Sequence, residues 1–337
     1  MIAKERYLIV GLGSIGKRHL ECLRHLRPDS DITVWRQHSR NAAIPLGANR
    51  VVFDIADALA QKPFAAIIAN PSTKHVETAI KLANKGIHLL IEKPISDSMT
   101  NVDSLMAICY EKKLTLEVGY VLRFNHELIA FRDLVRMGSI GNVLAFRAEV
   151  GQFLPDWRPN TDYRQGVSAN KKLGGGALLE LSHELDYVAW VFGEPLSVAA
   201  QLIRSGALES DVEDMVDVII KIVTEAGNTV TGTIHMDMLQ RAPVRYCRAI
   251  GVSGTLEWNG IERCTRKFNP ATGKWVVLAS GIYEGRNEIF IRQLQNFLTS
   301  SERKEKDVAQ RAKDMVALRM IEAIRTSSRE EKTIYLQ

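Results

Sequence analysis

The sequence has no apolar run near the roughly 20 residues that a membrane-spanning helix needs, so no membrane partner is expected. It also lacks a tail of one charge. Lys plus Arg (44) exceed Asp plus Glu (39) by five, and the excess is scattered along the chain. That balance is compatible with small anionic ligands but not with the concentrated basic surface of a nucleic-acid binder. Cysteine is scarce: Cys22, Cys109, Cys247 and Cys264 lie far apart, with no CxxC pair and no His at zinc-like spacing. They read as buried, reduced thiols, and no metal is expected. Internal repeats and low-complexity linkers are missing too. The opening MIAKERYLIVGLG enters a strand at once, which reads as no signal peptide and a cytoplasmic protein.

What is present is ordinary for a globular protein: 337 residues, 46% hydrophobic and 25% charged. The length suggests two domains, each able to bury its own core. Short apolar runs at Tyr7–Val10, Ile32–Trp35, Arg50–Phe53, Ala65–Ala69, His88–Ile91 and Thr115–Val118 alternate with helical stretches ending near Leu26 and spanning His75–Lys85 and Asn101–Lys112. That alternation predicts a parallel α/β sheet covered by helices. After Gly119 the rhythm changes to strand after strand: Val143–Val150, Val198–Arg204, Val216–Val223, Thr229–Met238, Val244–Ile250, Thr255–Trp258 and Trp275–Leu278. Helices near Asn287–Thr299 and Lys306–Thr326 close the chain. The fold class expected is a doubly wound parallel α/β domain over residues 1–121, followed over 122–337 by an α+β domain with a large open, mostly antiparallel sheet.

The turn Gly11-Leu12-Gly13-Ser14-Ile15-Gly16 follows the first strand and opens the first helix, the context in which GxGxxG marks a dinucleotide site. Gly11 permits the tight turn, Gly13 lets backbone approach a pyrophosphate, and Gly16 lets helix and strand pack closely. The N–H groups around Ser14 and Ile15 then face the phosphates. An NAD site usually places Asp or Glu at the end of the second strand. Here the residues are Trp35-Arg36-Gln37-His38-Ser39-Arg40, so Arg36 and Arg40 are candidates to hold a 2′-phosphate, and NADP is favoured over NAD.

The strand His88–Ile91 ends at Glu92-Lys93-Pro94, which places Lys93 where ligands bind in doubly wound sheets, ready to stabilise a developing oxyanion. Further on, Gly174-Gly175-Gly176 leads into a stretch whose Leu178, Leu181, Leu185, Val188 and Phe192 share one helical face. Glu180, His183, Glu184 and Tyr187 gather on the other. His183 could exchange a hydroxyl proton, with Glu180 one turn earlier to orient it.

Taken together, these pieces resemble the glucose–fructose oxidoreductase/inositol dehydrogenase (Gfo/Idh/MocA) family. The matching segments are Gly11–Gly16 with His19, Asn70-Pro71-Ser72 with His75, Glu92-Lys93-Pro94, and Gly174–Gly176 through His183 and Asp186. The resemblance implies a Rossmann domain joined to an open-sheet domain, acting on hydroxyls of sugars, cyclitols or nucleotide sugars. It implies catalytic roles for Lys93 and His183. Asn70, Pro71, His75 and Glu92, with Lys93, are expected on the cofactor side. Many members carry Asp four residues before the histidine; this chain has Leu179 there, and its acid is Glu180.

Arg123 and Asn125, then Trp157, Tyr163 and Arg164, are the candidate substrate contacts, since aromatic faces and hydrogen-bonding groups suit a sugar and arginines suit a phosphate. The leading expectation is an NAD(P)-dependent dehydrogenase or reductase of carbohydrate metabolism. The alternatives are a non-catalytic NAD(P)-binding sugar sensor and a glycosidase that recycles NAD. Strands Val216–Val223 and Thr229–Met238 read as apolar on more than one face, which predicts a homodimer or homotetramer through the second sheet. The resemblance points the same way.

Overall fold

The computed structural model describes residues 5–36, 43–281, 285, 287–303 and 315–336. They form two units: one runs to Val121 and takes in the later stretch 287–303, the other holds 122–281 and 315–336.

In the first unit, β1 (Arg6–Val10), β2 (Asp31–Trp35), β3 (Arg50–Val52), β4 (Ala65–Ile68), β5 (His88–Ile91) and β6 (Leu116–Val118) form a parallel sheet. Its order is β3-β2-β1-β4-β5-β6, the dinucleotide-binding arrangement. β4 and β5 are buried along their whole length, which is why they read as unbroken apolar runs rather than alternating ones. The helices are α1 (Ser14–Leu26), α2 (Ile55–Ala60), α3 (His75–Ala83) and α4 (Val102–Glu111). α1 buries Gly16, His19, Leu20, Cys22 and Leu23 on one face. It packs on β1 and β4, and α3 packs on β4 and β5.

The second unit contains α5 (His126–Arg136), β7 (Val143–Gly151), α6 (Ala177–Glu180) and α7 (His183–Phe192). β8 (Glu194–Ile203), β9 (Met215–Val223), β10 (Thr229–Asp237), β11 (Val244–Gly251), β12 (Gly254–Asn259), β13 (Cys264–Asn269) and β14 (Lys274–Ser280) follow. After α8 (Glu288–Arg303), α9 (Val316–Glu330) and β15 (Ile334–Tyr335) complete it. Nine strands form a sheet in the order β14-β13-β12-β11-β7-β10-β9-β8-β15. Only β7 and β10 run parallel; the other pairs are antiparallel. Both sheets therefore match the expected fold class. The core side is built by α5, α7 and α9, with Phe146 stacked on Phe192 at 4.3 Å and Gly232 leaving room for the Phe146 ring.

Two expectations are revised. The range 122–337 is not one continuous unit, because α8 belongs with the first. Phe290, Leu294, Phe297 and Leu298 share a buried cluster with Tyr7, Ile9, Leu23, Val34 and Val121. Gln293 also donates to the Val118 carbonyl at 3.3 Å. Four such side chains contribute about 1.5–3 kcal/mol each, enough to decide where an amphipathic helix docks. The final helix is described only as Val316–Glu330, since 304–314 lie outside the described residues.

The second sheet is also not apolar on two faces. β9 buries Val216, Val218, Ile220 and Ile222 but turns Asp217, Ile219 and Lys221 outward, and β10 turns Thr229, Thr231 and Thr233 outward. A strict period of two left one face polar. His235 lies on that open side, with Nε2 3.1 Å from Asp237 and Nδ1 2.7 Å from Asp217. These bonds, led by the one to Asp237, raise its pKa from 6.5 to about 9. A raised histidine stabilises the fold fully below its ordinary value and loses that contribution as pH climbs through the folded one. Urea unfolding of the wild type is expected to lose stability between pH 6.5 and about 9, and His235→Gln is expected to lack that decline. Parallel pH profiles for the two would refute the assignment.

Candidate active site

The β1–α1 turn is built as a phosphate cradle. Gly11 has φ 86°, and a Cβ there would stand 2.7 Å from the Ala69 carbonyl oxygen, so only glycine fits. A Cβ on Gly16 would overlap the Gly11 carbonyl. Gly13, by contrast, faces open space, with no atom within 4 Å of such a Cβ. Gly13 caps α1 without a side-chain bond, and the first turn, which includes Ser14 and Ile15, carries no acid. Open backbone N–H groups at a helix start, with no carboxylate to compete, fit the pyrophosphate of a dinucleotide. Arg36 follows β2, its backbone N–H bonded to the Val52 carbonyl at 3.0 Å. Arg40 lies outside the described residues.

Glu92, Lys93 and Pro94 follow β5, and the Lys93–Pro94 peptide is cis. Glu92 is buried, with Oε1 2.6 Å from His19 Nε2 and Oε2 accepting the Lys93 N–H at 3.1 Å. Burial pushes its carboxyl up, but the His19 bond and nearby Lys93 outweigh it, and its pKa lies below the ordinary value. His75 joins two loops: Nδ1 is 2.9 Å from the Pro94 carbonyl and Nε2 is 2.7 Å from the Asn70 carbonyl. Burial lowers its pKa despite both carbonyls. Asn70 donates from Nδ2 to Thr78 at 3.2 Å, and Pro71 leads into the short turn Ser72–Lys74. The structure thus brings together four residues expected on the cofactor side, Asn70, His75, Glu92 and Lys93, and adds His19 from α1.

In the second unit the glycine run meets the protein itself. Gly176 has φ 109°, and a Cβ there would overlap the Glu213 carboxylate. That carboxylate accepts the Leu178 N–H at 3.2 Å, and the Glu213 carbonyl accepts from Ala177 at 3.0 Å. Burial raises the Glu213 pKa. Glu213 has no local signal in the sequence, being 37 residues beyond the glycine that admits it.

The helix expected to run from Leu178 to Phe192 is broken. α6 ends at Glu180, Leu181 and Ser182 form a turn, and His183 begins α7. Glu180 thus closes α6 and His183 opens α7, with the Leu181–Ser182 turn between them. Glu184 and Tyr187 are fully buried rather than part of a polar face. Glu184 accepts from Arg245 Nε at 2.8 Å and Nη2 at 3.3 Å. Asp186 accepts from Arg123 Nε at 3.0 Å and Nη2 at 2.6 Å. Burial pushes Asp186 up, and Arg123 opposes that. Two arginine-held acids thus orient the helix that presents the half-buried His183.

The remaining candidates have partners within the same unit. Arg123 is committed to Asp186. The Asn125 side chain caps α5 by accepting the Leu128 N–H at 2.8 Å. Trp157 donates to the Gln152 carbonyl at 3.0 Å, and Tyr163 accepts from Glu209 N at 3.1 Å. Exposed Arg164 pairs with Asp162 at 2.8 Å and Glu209 at 3.3 Å. Among the described residues no cluster of His, Cys, Asp or Glu could hold a metal, and no helix is long and apolar enough to cross a membrane. The four cysteines are buried and none forms a disulfide.

Two family models match the chain: "Oxidoreductase family, NAD-binding Rossmann fold" over residues 5–120 and "GFO/IDH/MocA C-terminal domain" over 128–257. The rhizopine catabolism protein MocA of Rhizobium meliloti is 31% identical over 129 residues, 38% of this chain and 38% of that protein. Inositol 2-dehydrogenase of Rhodococcus erythropolis is 26% identical over 241 residues, 68% of this chain and 65% of that one. This chain thus spans less than two thirds of the length of either relative. A solved levoglucosan dehydrogenase, in complex with NADH and levoglucosan, has a TM-score of 0.85 at 18% identity, over 99% of this chain and 100% of that one. That last likeness is one of fold.

Proposed function

Because the chain belongs to the Gfo/Idh/MocA family of NAD-binding oxidoreductases, we propose that it moves hydride between a nicotinamide cofactor and a hydroxyl or keto carbon of a sugar, cyclitol or nucleotide sugar. The observation that carries this reading is the Gly11–Gly16 cradle, open at Gly13, at the end of β1 in the same sheet whose β5 leads into Lys93. The names of the inositol and levoglucosan relatives support the substrate class. A bound nicotinamide supplies the hydride acceptor or donor. Gly11, Gly13, Ser14, Ile15 and Gly16 would hold its pyrophosphate, and the Asn70, Pro71, His75 and Glu92 loops its nicotinamide side. In this reading Lys93 hydrogen-bonds the reacting oxygen and His183 exchanges its proton, while Glu180 orients His183 from the end of α6. Arg123, Asn125, Trp157, Tyr163 and Arg164 belong to the proposed substrate side.

The test is a panel of sugars, cyclitols and nucleotide sugars, each offered with NAD and NADP and followed by reduced-cofactor fluorescence. Net reduced cofactor supports a dehydrogenase. Cofactor binding without turnover would indicate a sensor, and sugar release with cofactor recycled a glycosidase. We also propose NADP over NAD, because Arg36 stands where a carboxylate would enforce NAD. NADPH is expected to bind more tightly than NADH, with the difference lost in Arg36→Ala. Equal affinities would reject the preference.

The protein is further proposed to be a cytoplasmic homodimer or homotetramer joined through its second sheet. Trp275, Val276, Val277 and Leu278 of the edge strand β14 are exposed on both sides of that strand, an apolar edge that a partner copy would cover. Light scattering that finds a stable 37.7 kDa monomer at micromolar concentration would overturn it.

A further inference from the structure

Each neighbour of Lys93 is held by a buried histidine, Glu92 through its carboxylate and Pro94 through its carbonyl, and the two histidines come from different helices. On the N-terminal side, His19 of α1 bonds the Glu92 carboxylate at 2.6 Å, and the other Glu92 oxygen accepts the Lys93 N–H. On the C-terminal side, His75 of α3 contacts the Pro94 carbonyl at 2.9 Å and spans to the Asn70 carbonyl, just past β4. Both rings are buried, at 0% and 2% exposed.

The pocket around this grip leaves little slack. A Cβ on Gly119 would lie 3.1 Å from the Glu92 carboxyl carbon, and the Phe290 ring of α8 sets its edge toward His19 at 5.8 Å. Nδ1 of His19 has no hydrogen-bond partner among the described residues. The one polar bond of this buried ring therefore goes to Glu92. A ring needed only to fill space between α1 and the sheet would be leucine or phenylalanine, since burying imidazole for packing alone leaves Nδ1 unsatisfied.

We propose that His19 and His75 are positioning residues for Lys93. They hold the Glu92 carboxylate before it and the Pro94 carbonyl after it, and they tie its direction to α1, whose N-terminus forms the phosphate cradle, and to the Asn70 loop. Cofactor helix and lysine are thereby held as one rigid piece. The proposal rests on the reading of Lys93 as the group that meets the reacting oxygen.

The experiment labels the lysines of the full chain by reductive ¹³C-methylation and follows the Lys93 signal by NMR, assigned by its loss in Lys93→Arg. His19→Ala and His75→Ala are each expected to shift or split that signal. They should also lower kcat on the sugar found by the panel on the order of 10²-fold, the usual cost of a ~1 Å misplacement, with a much smaller change in NADH affinity. His19→Gln, whose side-chain N–H can still reach Glu92, is expected to restore both. If the alanine variants fail to fold, His19→Leu, similar in bulk but without a donor, is compared with His19→Gln instead. A Lys93 signal and kcat unmoved in the donor-free variants, or equal losses in His19→Gln and His19→Leu, would overturn the proposal. Loss of the Lys93 role itself is read separately, from turnover surviving in Lys93→Ala, while the NMR signal still reports the grip.

Discussion

Lys93→Ala is expected to lose about 10²–10⁴ in turnover, the contribution typical of a positioned proton-transfer group, while NADH and NADPH still bind. The separation follows from geometry. The cradle that would hold the pyrophosphate is made of backbone at Gly11–Gly16, and no part of it needs the Lys93 side chain. His183→Ala is expected to show a loss of the same order, for a different reason. His183 opens α7, whose orientation is held by Glu184 with Arg245 and by Asp186 with Arg123. Removing the imidazole leaves both ion pairs in place, so stability should hold and only the chemistry should fail. Steady-state kinetics on the substrate from the panel, beside cofactor fluorescence and thermal melts, check both variants. Near wild-type kcat in either one removes the role assigned to that residue.

The Rossmann half was legible because its signals are local. A strand, three glycines and an amphipathic helix lie within Arg6–Leu26, and the turn chemistry of Gly11 and Gly16 follows from spacing alone. What failed depended on partners far along the chain. The apolar period from Leu178 to Phe192 is uninterrupted by Gly or Pro, so it read as one helix. The actual arrangement turns at Leu181–Ser182 and buries Glu184 and Asp186 against Arg245 and Arg123, each about sixty residues away. A glycine run permits a close approach, but which group approaches, the Glu213 carboxylate, is decided only by the fold. Likewise α8 was legible as a helix, while its place on the first unit is decided by where Phe290 and Leu294 find apolar partners. The polar open face of the second sheet was misread for a simpler reason: Ile219 sits in the outward register of β9 and blurs its alternation.

Arg123 separates a structural from a substrate-binding role. Its guanidinium forms a two-pronged pair with Asp186, whose side chain is 2% exposed. Removing one partner of such a pair leaves an uncompensated buried charge, which costs about 3–5 kcal/mol. At about 2–4 °C per kcal/mol for a domain of this size, Arg123→Ala should melt roughly 6–20 °C below the wild type. The deficit should also depend on pH in a definite direction. Burial pushes the Asp186 carboxyl up, and Arg123 is what opposes it. Without the arginine the folded pKa rises further above the unfolded value near 3.9. The group is then penalised only where it must ionise, so the deficit should be small at acid pH and grow once pH passes the already raised folded value of Asp186 in the wild type. Adding Asp186→Asn, which removes the stranded charge, should recover much of the loss and flatten its pH dependence. Melting curves of the single and double variants across that range make the decision. A variant that melts like the wild type but needs far more sugar to reach half-maximal rate would instead place Arg123 on the substrate.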